Sequence, residues 1–309
     1  MRRGTPFFSI IVPTYNRPAQ LVLCLKAISR LEYDPDGFEV LVVNDGSSMP
    51  LDPIIARFRG KLDITLLTQQ NSGPALARNN GAACAKGQFL AFTDDDCAPA
   101  SSWLRSFAMR FGQEPEQVIA GRALNVLYDN SYSTVSQAVA DYLVNYYNSR
   151  PDRARFFSGN NFALPHGAFH ALGGYDTNFP SSAGEDREFS DRINYYDYPL
   201  VYAPDAVVYH FHALTLGTFL RQHFNYGRGS FRFYQTRARR NNEPITVESR
   251  SFYVNLLFYP FPRERLLRMI SLKTLLALSQ VANAAGHFWE RSRRNGKGFL
   301  KESSQRPPA

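Results

Sequence analysis

The chain is expected to fold as an α/β domain whose mostly parallel sheet carries helices on both faces. Three observations say so. Short apolar runs of β type alternate with segments of helical spacing through the first half of the sequence. Several of those runs end in polar or acidic residues. Near Arg237 the regular pattern gives way to basic and polar composition, which marks off a C-terminal helical appendage.

The elements follow in order. Residues 8–12 form an apolar run stopped by Pro13, and Pro18 opens a segment with Leu21, Cys24, Leu25 and Ile28 at helical spacing. Residues 38–43 read as a second buried strand ending in Asn44, Asp45, Gly46, Ser47 and Ser48, followed by a short helix over 53–58. A third strand over 63–67 leads to an alanine-rich helix over 74–85 closed by Gly87, and a fourth strand covers 88–93. Alternating β and α units imply parallel strands with helices on both sides, and ligands in such sheets bind at the carboxyl ends of the strands. Thr14, Tyr15 and Asn16, Asp45, and the triplet Asp94, Asp95 and Asp96 all fall at those ends, so one crevice can gather them. Beyond them, Trp103, Leu104, Phe107 and Phe111 mark a helix and residues 118–121 a strand. Residues 128–147 read as helix and irregular structure over the sheet, 201–211 as a strand and 216–226 as a helix.

The chemistry starts at the acidic triplet. Three adjacent carboxylates repel one another unless a cation joins them, and a hard divalent ion with oxygen ligands serves that purpose. In extended backbone Asp94 and Asp96 point the same way. Two carboxylates on one side suit Mg²⁺ or Mn²⁺ shared with a substrate diphosphate. The competing reading is an ordinary acidic turn after a strand.

Composition sets the bounds. A chain of 309 residues, 44% hydrophobic, is long enough for one large domain plus an appendage. The formal charge of +8 is local in origin: six arginines and no acid lie between Arg221 and Arg240, which fits an anionic surface, a phosphate-bearing substrate or a solvated face, with no nucleic-acid partner expected. Cys24, Cys84 and Cys97 cannot all pair and show no metal-ligand spacing, so reduced thiols and a cytoplasmic setting are expected. Met1, Arg2 and Arg3 precede an apolar stretch too short for a signal peptide, and residues 301–309 form a polar end. No segment reaches the ~20 apolar residues of a spanning helix.

Several motifs together resemble the family 2 glycosyltransferases. Residues 11–18 (Ile-Val-Pro-Thr-Tyr-Asn-Arg-Pro), 42–47 (Val-Val-Asn-Asp-Gly-Ser), 73–81 with Ala77, Arg78 and Asn79, and 93–96 look like that family's nucleotide-binding half. Residues 158–161 (Ser-Gly-Asn-Asn), 173–176 (Gly-Gly-Tyr-Asp), 184–186 (Gly-Glu-Asp) and 208–210 (Val-Tyr-His) look like its acceptor half. The resemblance covers residues 8 to about 230. It implies a GT-A type fold, with a catalytic domain over 1–240 (donor half 8–125, acceptor half 126–240) and a helical, basic tail over 241–309.

It also implies sugar transfer from a nucleotide diphosphate donor, with inversion, to a glycan or lipid-linked acceptor. Pro13, Thr14, Tyr15, Asn16 and Asp45 would then hold the nucleoside, Arg78 a phosphate or base edge, and Asp94 and Asp95 the donor. Asp94, Asp96 and His210 would ligate Mn²⁺ or Mg²⁺, with His212 competing for the histidine role. Asp186 is expected to be the general base and Glu185 to orient base or acceptor; the competing reading is a pair of acids favoured at a helix N-terminus, which the rest of the motif pattern outweighs. Gly173 and Gly174 would let backbone approach the donor sugar, and residues 226–229 would form a mobile loop bringing Arg228 to the diphosphate.

A sugar nucleotidyltransferase also unites an α/β sheet, Mg²⁺ and nucleotide, but uses a glycine-rich basic loop behind the first strand, where this chain has Pro-Thr-Tyr-Asn-Arg-Pro. A non-catalytic sugar-binding module would have no need of every expected carboxylate. In the tail, Leu267, Ile270, Leu278, Val281 and Ala285 form one helical stripe broken by Thr274, with Leu272 and Leu276 on the far side. Such a helix fits either a peripheral contact with the inner face of a membrane or packing on the rest of the protein.

Overall fold

The structure, a computed structural model, describes residues 7–179, 183–261 and 265–303, with side chains as far as Arg294. The Met1-Arg2-Arg3 start and residues 304–309 of the polar end lie outside the described residues. The chain forms two compact units, residues 1–178 with 185–213 and residues 179–184 with 214–309.

The first unit contains β1 (Phe8–Thr14), α1 (Pro18–Ile28), β2 (Phe38–Asn44), α2 (Asp52–Ala56), β3 (Ile64–Thr68), α3 (Pro74–Ala83) and β4 (Phe89–Thr93). It continues with β5 (Cys97–Pro99), α4 (Trp103–Gln113), β6 (Val118–Asn125), α5 (Ser131–Tyr147), β7 (Asn161–Pro165), α6 (His166–Ala171), α7 (Glu185–Tyr195) and β8 (Leu200–His210). The strands make one sheet in the order β3-β2-β1-β4-β7-β6-β8-β5. From β3 to β4 every pairing is parallel, as the βα alternation requires. The other half is mixed: β7 runs antiparallel to β4 and β6, and β5 runs antiparallel to β8, while β6 and β8 are parallel. The difference arises at residues 94–96, where the chain turns from β4 directly into β5 without a crossover helix.

Every residue of β1 and β2 is buried, because helices cover both faces. Successive side chains go to opposite cores. Ile10, Val12, Val40 and Val42 pack with Leu21 and Leu25 of α1 and with Trp103 and Phe107 of α4. Ile11, Leu41 and Val43 pack with Ala77 and Ala82 of α3 and with Phe162, Phe169 and Phe189. Burial of each such side chain is worth about 1.5–3 kcal/mol, so the two cores fix the strand ends from both sides.

One buried polar residue ties the mixed half together. Asn161 accepts from the Trp103 indole at 2.8 Å and donates to the carbonyls of Arg122 and Ala206 at 2.9 and 2.8 Å. Gly121 makes room for it, since a β-carbon there would lie 2.4 Å from the Asn161 amide. β8 is thereby held against β6 and β7, and its last residue, His210, is fixed in register with Cys97. Gly87 does not close α3, which ends at Ala83 with Cys84 as its cap; instead its missing β-carbon lets the chain pass Ser9, whose amide nitrogen would be 2.5 Å from one.

The second unit contains α8 (Leu216–Asn241), α9 (Arg250–Leu257) and α10 (Leu266–Ser303). A capping box between Thr215 and Thr218 starts α8, which runs through the expected loop at 226–229. The change in composition near Arg237 therefore falls within a helix. α10 packs on α8 through Leu272, Leu276, Ser279 and Glu290, all buried. The two backbones nearly touch: a β-carbon on Gly227 would lie 1.8 Å from the Asn283 carbonyl, and one on Gly286 1.9 Å from that of Phe224. Among the described residues no helix is long and apolar enough to cross a membrane.

Candidate active site

The carboxyl ends of β1 and β2 carry the nucleoside candidates. Pro13, with no N–H to give a ladder, lies beyond the Phe8–Ile11 stretch that pairs with β4. Thr14 is buried and donates its hydroxyl to Asp95 Oδ2 at 2.7 Å, so it braces the acidic turn. Tyr15 is 47% exposed and presents an open aromatic face. Asn16 sits at φ 53°, and its Oδ1 accepts from the Ser48 amide at 2.9 Å, stapling the loop after β1 to the loop after β2.

Asp45 is held by the protein's own donors. Its carboxylate already accepts from Gln69 Nε2 at 2.7 Å, the Ser72 amide at 2.8 Å, the Gly73 amide at 2.9 Å and Asn71 Nδ2 at 3.3 Å. Four donors fill a carboxylate's acceptor sites, so Asp45 folds the loop over 69–73, and a nucleobase N–H would have to displace one of them.

The acidic triplet is not extended. The chain turns at Asp95 and Asp96, so Asp94 and Asp96 have different neighbours. Asp94 accepts from Arg78 Nη2 at 2.7 Å. Asp95 is buried and accepts from Arg17 at 3.2 Å as well as from Thr14; burial raises its carboxyl to about 7, with Arg17 opposing. Asp96 Oδ2 accepts from Arg17 at 2.9 Å, and its Oδ1 lies 3.5 Å from His210 Nε2. Burial pushes the Asp96 carboxyl up, but the bond and charge of His210, followed by Arg17, outweigh it and hold the group low. For His210 burial acts downward and Asp96 outweighs it, leaving the imidazole raised.

Ligand atoms of Asp96, Cys97 and His210 lie within 4.8 Å of one another, and Asp94 is not in that group. A carboxylate oxygen and an imidazole nitrogen suit Mn²⁺ or Mg²⁺, Mn²⁺ better. The Cys97 thiol is a poorer donor, because burial holds its pKa well above the usual range. His212 stacks on His210 at 4.8 Å between ring centres and is pushed down to about 4, first by burial and then by His210.

Arg78, 4% exposed on α3, joins this turn to the start of α7. Its Nη1 is 3.5 Å from Glu185 Oε1, and its guanidinium lies 5.4 Å from the centre of the Tyr175 ring. Burial, then the neighbouring Asp186 charge, raises Glu185 to about 7, with Arg78 opposing. Asp186 is partly exposed. Burial raises its carboxyl too, while the amides of Arg187 at 2.7 Å and Gly159 at 3.4 Å donate to it. Among the described residues, Arg78 Nε, Glu185 Oε2, Asn160 Oδ1 and the Tyr175 hydroxyl are buried without hydrogen-bond partners. Such groups are costly to leave unpaired, so their clustering fits a place where a polar ligand binds.

Gly173 and Gly174 have φ of 79° and 64°, the left-handed region glycine tolerates. A β-carbon on Gly174 would lie 2.7 Å from Asn79 Oδ1, which accepts from the Tyr175 amide at 2.8 Å, while Asn79 Nδ2 donates to the Tyr175 carbonyl at 2.9 Å. Arg228 departs from expectation outright. It lies inside α8, donates to Glu290 Oε2 at 3.1 Å and stacks over Trp289, so no loop at 226–229 carries it to a diphosphate.

The structure thus brings together Thr14, Asp95, Asp96 and His210 on one side and Arg78, Asp94, Glu185 and Asp186 on the other. Arg17 and Cys97 carry no role in the sequence reading. Arg17 follows Asn16 directly at the β1 strand end, which was a usable signal. Cys97 meets His210 through a strand pairing 113 residues apart in sequence, which left none.

Comparison with known proteins identifies the family and the fold. A family model described as "Glycosyl transferase family 2" covers residues 9–173, more than half of the chain, and one described as "Glycosyl transferase family group 2" covers 94–289. The chain is 26% identical over 229 residues to validoxylamine A glucosyltransferase of Streptomyces hygroscopicus subsp. limoneus, covering 65% of this chain and 51% of that protein. It is 25% identical over 236 residues to glycosyltransferase AglE of Haloferax volcanii, covering 76% of each. It spans about half of the first of these relatives and 12% of the hyaluronan synthase of Pasteurella multocida, to which it is 38% identical over 116 residues.

Among solved structures, the mannosyltransferase of Pyrobaculum calidifontis in complex with GDP-Man and Mn²⁺ superposes with a TM-score of 0.67 at 18% identity, covering 93% of this chain and 88% of that one. TarS of S. aureus superposes at 0.54 with 18% identity, covering 94% and 92%. These likenesses show the fold, which is of GT-A type with C-terminal helices. With the fold, the motif order and the family model in agreement, the chain belongs to glycosyltransferase family 2.

Proposed function

We propose that the chain is an inverting hexosyltransferase that moves a sugar from a nucleoside diphosphate donor, read here as a UDP-sugar, to a hydroxyl of a glycan or lipid-linked acceptor in cell-envelope polysaccharide synthesis. The observation that carries this reading is the bridge made by Arg78 between Asp94 of the acidic turn and Glu185, the neighbour of Asp186. Donor residues and a base candidate then belong to one polar network. The similar structures support the donor class, since their names record GDP-Man, UDP and UDP-GlcNAc.

In this reading Tyr15 offers a face to the base, and Thr14 and Asn16 shape the loops beside it. Asp96 and His210 would hold Mn²⁺ or Mg²⁺, with Asp94 and Asp95 completing the acidic surface toward the donor. The ion, when bound, offsets the charge that develops on the departing nucleoside diphosphate. Asp186 takes the proton of the acceptor hydroxyl as that oxygen bonds to the anomeric carbon and the bond from this carbon to the diphosphate oxygen breaks, which inverts the configuration. A base in reach contributes about 10²- to 10⁴-fold. Glu185, buried against Arg78, sets the position of Asp186. Gly173 and Gly174 set that of Tyr175. The protein is placed in the cytoplasm, consistent with three free cysteines.

A panel of nucleotide sugars with Mn²⁺ and with Mg²⁺ tests this reading through thermal stabilisation and product analysis. Release of nucleoside diphosphate supports it, release of pyrophosphate indicates a nucleotidyltransferase, and binding without release indicates a non-catalytic module.

A further inference from the structure

α10 is inverted relative to an ordinary surface helix. Its packed side is lined by small and polar groups, including Ser279, Gly286 and Glu290 beside Leu272 and Leu276. Its outward side is apolar. Leu267 is 83% exposed, Val281 67%, Phe288 60%, Ile270 54% and Leu278 43%. Every exposed residue from 266 to 289 is uncharged, a strip roughly 35 Å long at 1.5 Å per residue. The hydroxyl of Thr274, within the strip, donates to the Ile270 carbonyl at 3.0 Å, so it needs no outside partner.

The helix cannot roll to bury this face. Gly227 and Gly286 hold the α8 and α10 backbones in contact, and the buried Glu290 carboxylate accepts from Arg228 at 3.1 Å, Arg232 at 2.8 Å and Arg294 at 3.3 Å. Rotation would break all three ion pairs and carry an acid into the open.

We propose that α10 docks the second unit on an anionic lipid surface, lying in the plane of the interface with the Leu267–Val281–Phe288 face inserted. Charge selects this occupant. The strip is flanked by exposed Arg265 at its start and exposed Arg291 and Arg293 at its end, while Glu290, the one acid between 265 and 294, is buried and paired. A second copy of the chain would bring the same cations against each other, whereas anionic headgroups attract them. Trp289 is half exposed with the Arg293 guanidinium 5.3 Å from its ring centre, a pairing suited to the boundary between headgroups and acyl chains. The inference does not depend on the transferase reading, and no donor or turnover enters its test.

The test is flotation of the full chain with vesicles of phosphatidylcholine alone and of phosphatidylcholine mixed with phosphatidylglycerol. Two double variants accompany it: Ile270→Asp with Val281→Asp, at exposed positions that leave the α8 contact intact, and Arg291→Ser with Arg293→Ser. The wild type is expected to float with the mixed vesicles and less as salt rises. The aspartate pair should weaken binding at least about tenfold, since two inserted aliphatic side chains are lost, and the serine pair should weaken it on mixed vesicles only. Absence of flotation with the mixed vesicles overturns the proposal. So does an aspartate pair that floats like wild type, or one that fails to float because it converts a solution oligomer, seen by light scattering, into monomer.

Discussion

Arg78 and Glu185 lie side by side inside the first unit, with Nη1 3.5 Å from Oε1, while Nη2 of the same guanidinium donates to Asp94 at 2.7 Å. One buried cation thus serves two carboxylates that are 91 positions apart in the chain. Removing it would leave Glu185 buried beside Asp186 with no opposing charge. Arg78→Met is therefore expected to cost about 3–5 kcal/mol. Adding Glu185→Gln should recover part of the loss. Thermal or urea unfolding of the wild type and the two variants checks this, and an Arg78→Met protein as stable as wild type would remove the bridge from the account.

Arg17 occupies two acceptors of the acidic turn, Asp95 at 3.2 Å and Asp96 at 2.9 Å, while its side chain is 48% exposed. An exposed ion pair is worth up to about 1 kcal/mol, or roughly fivefold in affinity. A divalent ion held by Asp96 and His210 would compete with this guanidinium for the Asp96 charge. Arg17→Ala should therefore bind Mn²⁺ alone about two- to fivefold more tightly, measured by calorimetry or electron paramagnetic resonance without nucleotide. Weaker binding would mean that Arg17 helps to build the site.

The pH dependence follows from the raised acids of α7. Glu185 is raised to about 7, by burial and then by Asp186, and Asp186 is raised by burial. A general base works deprotonated, so kcat/KM should fall on the acid side and level off as pH rises, with the fall displaced upward from the ordinary carboxylate range. The two acids titrate as a pair. Glu185→Gln removes the like charge and should move the fall to lower pH. A rate independent of pH between about 5 and 8 would contradict a carboxylate base with a raised pKa.

Asp186→Asn separates chemistry from binding. Donor affinity should be retained and transfer lost, by about 10²-fold or more. Should Asp186→Asn transfer at a near wild-type rate while Glu185→Gln does not, the base would be Glu185.

Much of the donor half was legible because local signals sufficed. Pro13 and Pro18 frame the first loop, the Asn44-Asp45-Gly46 sequence ends β2, and full burial of both strands requires the apolar runs that were read. Where contacts join distant segments, sequence gave less. The turn at residues 94–96 looks extended in sequence, because only the pairing of Cys97 with His210 fixes its path. The four donors to Asp45 come from a loop 24 to 28 residues away, and no spacing rule predicts them. Gly227 and Gly229 read as loop residues because glycine disfavours helix interiors. In α8 they are kept for close backbone approach, Gly227 to Asn283 and Gly229 to Ala183. The stripe on α10 was legible as a pattern, but which side packs was decided by Glu290 and its three arginines.

The central claim is a donor site completed by a divalent ion at Asp96 and His210, and calorimetry of UDP with and without Mn²⁺ tests it most directly. The account predicts that UDP binds wild type markedly more tightly with Mn²⁺, and that Asp96→Ala, with its fold checked by circular dichroism, loses this dependence. Equal UDP affinity with and without Mn²⁺ in the wild type would contradict it.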